Sequence, residues 1–218
     1  DWSSDVCSSD LKVVFFEMAA LEPTLKYHEK NNLDHVIDQV ASQENEPTFS
    51  DLNKVLVASQ VQLGIEKYLA VVSSMSTKNL RDEEHNSARL GKHLVESGKS
   101  RPSNCHAHAI VAGKHHNSSI IRVLMARLKI RIDDPDIGCW LPENTAATPH
   151  PKFPAAVPHS RIHRYNYFFW LRHRLGSIRK EHLFRMDLQL IARHLQERTM
   201  PDYVMLKKGQ GLPNGGRF

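Results

Sequence analysis

Seven of the fourteen histidines in this chain fall between His106 and His163, and their placement restricts the fold more than any other feature. The cassette opens with His106-Ala107-His108-Ala109-Ile110-Val111 and closes with His159-Ser160-Arg161-Ile162-His163. Ala109-Ile110-Val111 predicts a short strand ended by Gly113. Next, Asn117 or Ser118 can cap a helix in which Ile120, Ile121, Val123, Leu124 and Leu128 recur at helical spacing. Ile130-Arg131-Ile132 alternates as a strand would, and Asp133-Asp134-Pro135-Asp136 reads first as a turn. Cys139-Trp140-Leu141 predicts a second short strand stopped by Pro142, followed by a loop over 143–158 with four prolines. A helix is expected from Ser160 to Leu175 with Gly176 as its stop, packing through Tyr165, Phe168, Phe169 and Leu171. A last helix is expected over Ser177 to Arg198, with Leu183, Met186, Leu190, Ile191 and Leu195 as its apolar stripe, and the tail after Met200 is expected to fray.

His159 and His163, four residues apart, would project from one face of a helix and could take two positions of one metal ion, with His108 supplying a third. Neutral imidazoles suit zinc or a transition-type cation. Asp133, Asp134 and Asp136 could add a carboxylate, and a Cys105–Cys139 bridge or shared metal site stays open. Lys114, Arg161 and Arg164 lie close in sequence to the candidate ligands and are the expected phosphate contacts, whereas Tyr167 and Trp140 are expected to pack the core.

The charge is divided unevenly. Residues 1–100 hold 10 Lys and Arg against 16 Asp and Glu; residues 101–218 hold 19 against 8. A field of that sign over the histidine half favours encounter with phosphate polymers, because neutralising phosphates releases condensed counterions. Three cysteines without CxxC spacing argue against a disulfide framework. No apolar run reaches the length of a membrane span, so none is expected. Residues 1–11 read as translated sequencing adapter. Residues 12–100 read as a helical linker or docking segment, with helices near Leu33–Ser42, Ser50–Ser73 and Asp82–Ser97, the last stopped by Gly98. In that segment His28, His35, His85 and His93 are expected to be solvated. The main domain is expected over 101–200, with 201–218 as a flexible tail.

The order of Ala107-His108, Ile110-Val111, Ile130-x-Ile132, Gly138, Leu141-Pro142 and His159-x-x-x-His163 followed by Tyr167 resembles the AHH family of the HNH (ββα-metal, endonuclease VII-like) nuclease superfamily, whose members are known as toxin nucleases. The resemblance covers roughly residues 104–175. It implies an α+β, mostly helical fold with a small ββα-metal core, a helical N-terminal segment and a helical C-terminal extension. It also implies a metal-dependent endonuclease acting on DNA or RNA, with one divalent ion (Zn, Mg, Mn or Ni) held by His108, His159 and His163. The implied setting is a bacterial polymorphic toxin, secreted or delivered into a target cell to act in its cytoplasm, with a separately encoded immunity protein as partner. Two positions depart from the family's pattern: its second histidine, the usual base, falls at Ala109, and its usual Asn before Gly138 is Ile137. The catalytic role then falls to His108 or His106, or to His115 or His116 beyond Gly113. The competing reading is a basic nucleic-acid-binding module in which the histidines, with Cys105 or Cys139, hold a structural metal.

Overall fold

The computed structural model describes residues 30–213; the adapter-like segment, His28 and the last five residues lie outside them. Helix α1 (Asn32–Ala41) and helix α2 (Phe49–Ala70) both begin with a capping box, from Asn31 and Thr48, which satisfies two orphan backbone donors at each start. A 3-10 turn, Val71–Ser74, prolongs α2. With that extension the helix is long and apolar enough to cross a membrane by length and composition, with a mean hydropathy of 1.3 and 17% of its most apolar window buried. The stretch is not an unbroken apolar run, since Glu66 and Lys67 interrupt it, and core helices of soluble proteins share this length and composition.

The helix expected over Asp82–Ser97 is two helices, α3 (Thr77–Asp82) and α4 (Ser87–Glu96), split where Asn86 caps α4 through Ala88 and Arg89. Gly98 ends α4 with φ +83°. Although α4 precedes the boundary expected near residue 100, its Leu90 and Leu94 are fully buried in the same core as the strands that follow.

Strand β1 (Cys105–Ala109) pairs antiparallel with β2 (Gly138–Pro142), with His108 opposite Cys139 and Ala109 opposite Gly138. The first strand thus lies four residues earlier than Ala109-Ile110-Val111 suggested. Ile110, Val111 and Ala112 are buried continuations, of which Ile110 still donates to the Ile137 carbonyl at 2.8 Å. Between the strands sits α5 (Ser119–Arg127). Ile130-Arg131-Ile132 is not a strand: Lys129 takes φ +58°, and Ile130 N–H returns to Met125 O to close the helix end, so both isoleucines bury as anchors of a turn. Gly138 is required by close approach, since a Cβ there would stand 2.7 Å from Leu90 Cδ1 of α4.

After β2 comes α6 (Tyr165–Leu175), buried nearly all round. It starts five residues later than expected, with a separate 3-10 turn at His159–Arg161 before it. The last helix, α7 (Glu181–Glu197), buries Phe184, Leu188, Ile191 and Leu195. The expected stripe was offset: Leu183, Met186 and Leu190 are exposed, while Phe184 and Leu188 face the core with Ile191 and Leu195. Nor does the segment after Met200 fray within the described residues. Asn166 donates to the carbonyls of Tyr203, Lys207 and Gln210 and accepts from Gly209 N–H, and Val204 is fully buried. The architecture is α+β and mostly helical, with a two-stranded antiparallel sheet backed by α4 and followed by α6.

Candidate metal centre and nucleic-acid groove

Four histidines from two segments meet beside the sheet. His106 and His108, two residues apart on β1, come within ring contact of the His159–His163 segment. That segment is placed by three local features: Ser160 N–H donates to Glu143 O at the end of β2, Ile162 is fully buried between the two histidines, and Arg164 N–H closes back on Ile162 O. His159 and His163 are therefore brought together through a 3-10 turn and Ile162, not through the continuous α-helix that their spacing suggested.

The protonation pattern is set by the neighbours. The Tyr167 hydroxyl donates to Ile110 O at 2.8 Å, so its oxygen is left to accept from His108 Nε2–H at 3.2 Å. That fixes the tautomer from the hydrogen-bond network and leaves His108 Nδ1 as a lone pair, fully buried and without a partner. His163 Nε2 faces the Ala109 carbonyl at 3.3 Å, which likewise makes Nε2 the donor and Nδ1 the free lone pair. An imidazole pinned through one nitrogen by a protein oxygen, with the other free, is the arrangement of a metal-ligating histidine and its supporting shell.

Burial, reinforced by His163, His159 and His85, holds the His108 pKa well below the ordinary imidazole value. Burial also lowers His159, aided by His106 and His85. His163 is exposed by surface area, yet the atoms packed around its ring push its pKa down to about 4. All three are neutral near pH 7, the form a metal binds.

Three imidazoles around one tetrahedral ion, with bonds of about 2.0–2.1 Å, would have ring centroids about 5 Å apart. The His108–His163, His108–His159 and His159–His163 centroids are 4.8, 5.3 and 6.1 Å apart. The nitrogens themselves do not converge on one point. Among the described residues no three His, Cys, Asp or Glu side chains stand in metal-binding geometry, so binding would need side-chain rotation. The donor set and the orphaned lone pair fit a divalent ion; the spacing fits it after that closure.

The other expected participants lie elsewhere. Asp133 and Asp134 are fully buried and committed, Asp133 to His85, Arg89 and Asn86 N–H, Asp134 to Arg185 at 2.8 Å. Asp136 also binds Arg185. None of the three joins the histidines. Cys105 and Cys139 are free and buried, and β-sheet register does not place them opposite each other. His150 approaches Cys105 Sγ at 3.6 Å, and burial pushes the Cys139 thiol up to about 12.

His115 stacks on His116 and Phe168. Lys114 pairs with Glu84 at 3.0 Å. Arg164 donates to Met205 O at 3.2 Å, and Arg161 opens onto a separate groove with Thr145 and Arg198. Trp140 packs as expected, 4% exposed, with its indole N–H donating to Lys99 O. Tyr167 is buried as expected, but it also fixes the tautomer of His108. Its spacing, four residues after His163 as His163 is four after His159, was the available signal.

Lys92, Arg101, His85 and His93 were missed. A groove of about 710 Å³ runs from His106 and His159 along Ala107 and Trp140 to the Gly91 and Val95 face of α4, with Lys92 and Arg101 on its walls. His85 and His93, expected to be solvated, are instead bound to Asp133: His85 Nδ1 to its carboxylate, and His93 Nδ1 to the Asp133 backbone carbonyl at 2.6 Å.

No curated protein and no solved structure matches this chain significantly. A family model does match, over residues 90–194, and is described as a nuclease family of the HNH/ENDO VII superfamily with conserved AHH. The matched span opens within α4, takes in both strands and all four clustered histidines, and ends within α7; over those residues the chain matches the AHH family.

Proposed function

We propose that this protein is a metal-dependent endonuclease that hydrolyses phosphodiester bonds in DNA or RNA, and that it acts as the toxin domain of a bacterial polymorphic toxin. The observation that carries the reading is the buried, unpartnered Nδ1 of His108, set beside His159 and His163 in a family of nucleases. A buried polar atom without a partner is costly, and coordination is the interaction that this one's surroundings suit. His108, His159 and His163 hold one divalent ion in this reading. When bound, such an ion supplies Lewis-acid charge to a phosphoryl oxygen and to the leaving oxygen.

The chain's own residues do the rest. Tyr167 and the Ala109 carbonyl orient the ligands. His106, half-exposed on the same strand and in contact with His159, stands at the end of the groove as a second candidate catalytic histidine, its Nε2 3.5 Å from Glu143. Arg101 and Lys92 line the adjoining groove and suit the flanking phosphates, with Lys114 and Arg161 further out on the surface. Arg164, tied to Met205, contributes by fixing the start of α6. As a toxin, the protein would be delivered into a target bacterium, act in its cytoplasm, and be neutralised in the producing cell by an immunity protein; the toxin association of the family it resembles supports that setting.

The test is degradation of plasmid DNA and total RNA by the full chain, with EDTA and with Zn, Mg, Mn or Ni added back, for wild type and His108→Ala. The expected result is EDTA-sensitive cleavage by wild type and loss of both cleavage and bound ion in His108→Ala. A wild type that binds nucleic acid and retains an ion without cutting would mark a structural-metal module instead.

A further inference from the structure

His85 lies outside the residues that match the family, in the turn between α3 and α4. Its Nδ1 stands 2.5 Å from Asp133 Oδ1, and Asp133 is completely buried. The other carboxylate oxygen of Asp133 accepts from Asn86 N–H at 3.0 Å and Arg89 Nε at 2.6 Å, so the carboxylate cannot rotate away. Burial alone would raise the Asp133 pKa, but its contacts with His85, Asn86 and Arg89 outweigh that and hold it below the ordinary value, so it is ionised. An ionised carboxylate accepting from Nδ1–H leaves His85 Nε2 as a lone pair of fixed direction. The ring is partly open to solvent, with 24% of the side chain exposed. This is a base held by an orienting group, the relation by which acid–base histidines are recognised on unrelated folds.

The turn that carries His85 leads into a wall of the groove that ends at the histidine cluster. Ser87 and Ala88, the residues that follow His85 and its neighbour Asn86, line the same groove as His106 and His159. From the other side Gly113, at the end of the segment that continues β1, is packed so closely that a Cβ there would stand 2.5 Å from His85 Cβ. His106, by comparison, contacts His159, and its Nε2 is turned to the half-exposed Glu143 at 3.5 Å. No buried group orients it.

From this geometry we propose that His85, positioned by Asp133, is the general base of the cleavage reaction. The inference rests on the nuclease reading above. His85 Nε2 takes a proton from water as the water oxygen bonds to phosphorus. The bond from phosphorus to the leaving sugar oxygen breaks, that oxygen takes up a proton from solvent, and His85 returns its proton to solvent. The products are a phosphomonoester and a free hydroxyl, with no oxidant or further reactant. Asp133 is a positioning residue: it holds the tautomer and stabilises the imidazolium that forms. Ala109, where the family description has its second histidine, then need not carry a base, because a turn from outside the matched region brings one.

The experiment measures plasmid and RNA cleavage, bound-ion content and imidazole rescue for the full chain and for His85→Ala, Gly113→Ala and Asp133→Asn. His85→Ala is expected to lose about 10²–10⁴-fold in rate, to keep its bound ion, and to regain activity with added imidazole. Rescue by imidazole is a response that a purely structural role would not give. Gly113→Ala keeps the imidazole but displaces it, so it should slow cleavage with ion content unchanged; it carries the test if His85→Ala fails to fold. Asp133→Asn should slow cleavage without response to imidazole. Cleavage by His85→Ala at the wild-type rate, or loss of its ion together with activity, overturns the assignment and leaves the nuclease reading standing. A wild type that cleaves neither substrate with any of the four metals overturns both.

Discussion

At the scale of single residues, the site depends on which nitrogen of each imidazole is free. Tyr167 holds His108 Nε2 as the donor. Tyr167→Phe removes that hydroxyl without changing the ring, and is expected to weaken metal binding about 10–100-fold, the usual consequence of losing a supporting partner; titration of the EDTA-stripped protein with Zn²⁺ measures it. The depressed histidine pKa values have a consequence for the metal-free protein. His163, at about 4 when folded against 6.5 ordinarily, remains neutral in the folded state over a range where the unfolded chain is protonated, and His108 is displaced in the same direction. Between those values the unfolded state binds more protons, so stability rises with pH: it is fully present above about 6.5 and is lost as pH falls toward 4. The melting temperature of chelator-treated protein should therefore fall between pH 7 and pH 4.5, by about 2–4 °C for each kcal/mol withdrawn. A flat profile across that window would contradict the buried, neutral cluster.

Among elements, the sheet of two short strands is too small to stand without a cover, and α4 provides it. Leu90 and Leu94 are spaced one turn apart and completely buried against the strands, with Leu90 filling the space that Gly138 leaves. Leu90→Ala is expected to cost about 2–5 kcal/mol by leaving a cavity. Gly138→Ala should cost about 1–3 kcal/mol by forcing a methyl into Leu90. Urea midpoints of the two variants measure these costs, and a double variant destabilised by less than the sum would show that the two residues share one contact. This packing also makes α4 one wall of the groove that ends at His106 and His159, so the helix that stabilises the sheet shapes the approach to the site.

For the whole molecule, α4 shares the core of the histidine half, whereas the helices before it are joined to that half by polar contacts. Arg131 makes a forked pair with Glu83, donates to Tyr68 O at 2.8 Å and lies 3.6 Å above the Tyr68 ring. Arg122 donates to the carbonyls of Gly113, Arg81 and Glu83. Along α2, Phe49, Leu52, Leu56 and Leu63 are exposed. The cationic excess lies wholly beyond residue 100. Binding to a 20-nucleotide probe should accordingly weaken steeply between 50 and 200 mM salt, with a log–log slope that reports the phosphates neutralised. Arg101→Ala, in the groove, should lower that slope by about one unit. A slope near zero would remove the nucleic-acid face from the histidine half.

Several features were legible in the chain itself: the family resemblance, the α+β character, the two short strands around a helix, and the proximity of the His108, His159 and His163 rings. Each follows from residue order and spacing, since turn formers and apolar periodicity act locally. Other features were not. The isoleucine pair at 130 and 132 alternates like a strand, yet no partner strand lies beside it, and its side chains bury in a turn. His159 and His163 have helical spacing but meet through a 3-10 turn, because Glu143 and Ile162 hold that segment from outside. Asp133 belongs to a turn sequence by composition, and only burial against His85 and Arg89, 48 and 44 residues away along the chain, turns it from a loop former into an orienting carboxylate. Local propensity determines which residues can turn, coil or extend; which lone pair is left without a partner depends on contacts between distant segments, and only the tertiary structure decides those.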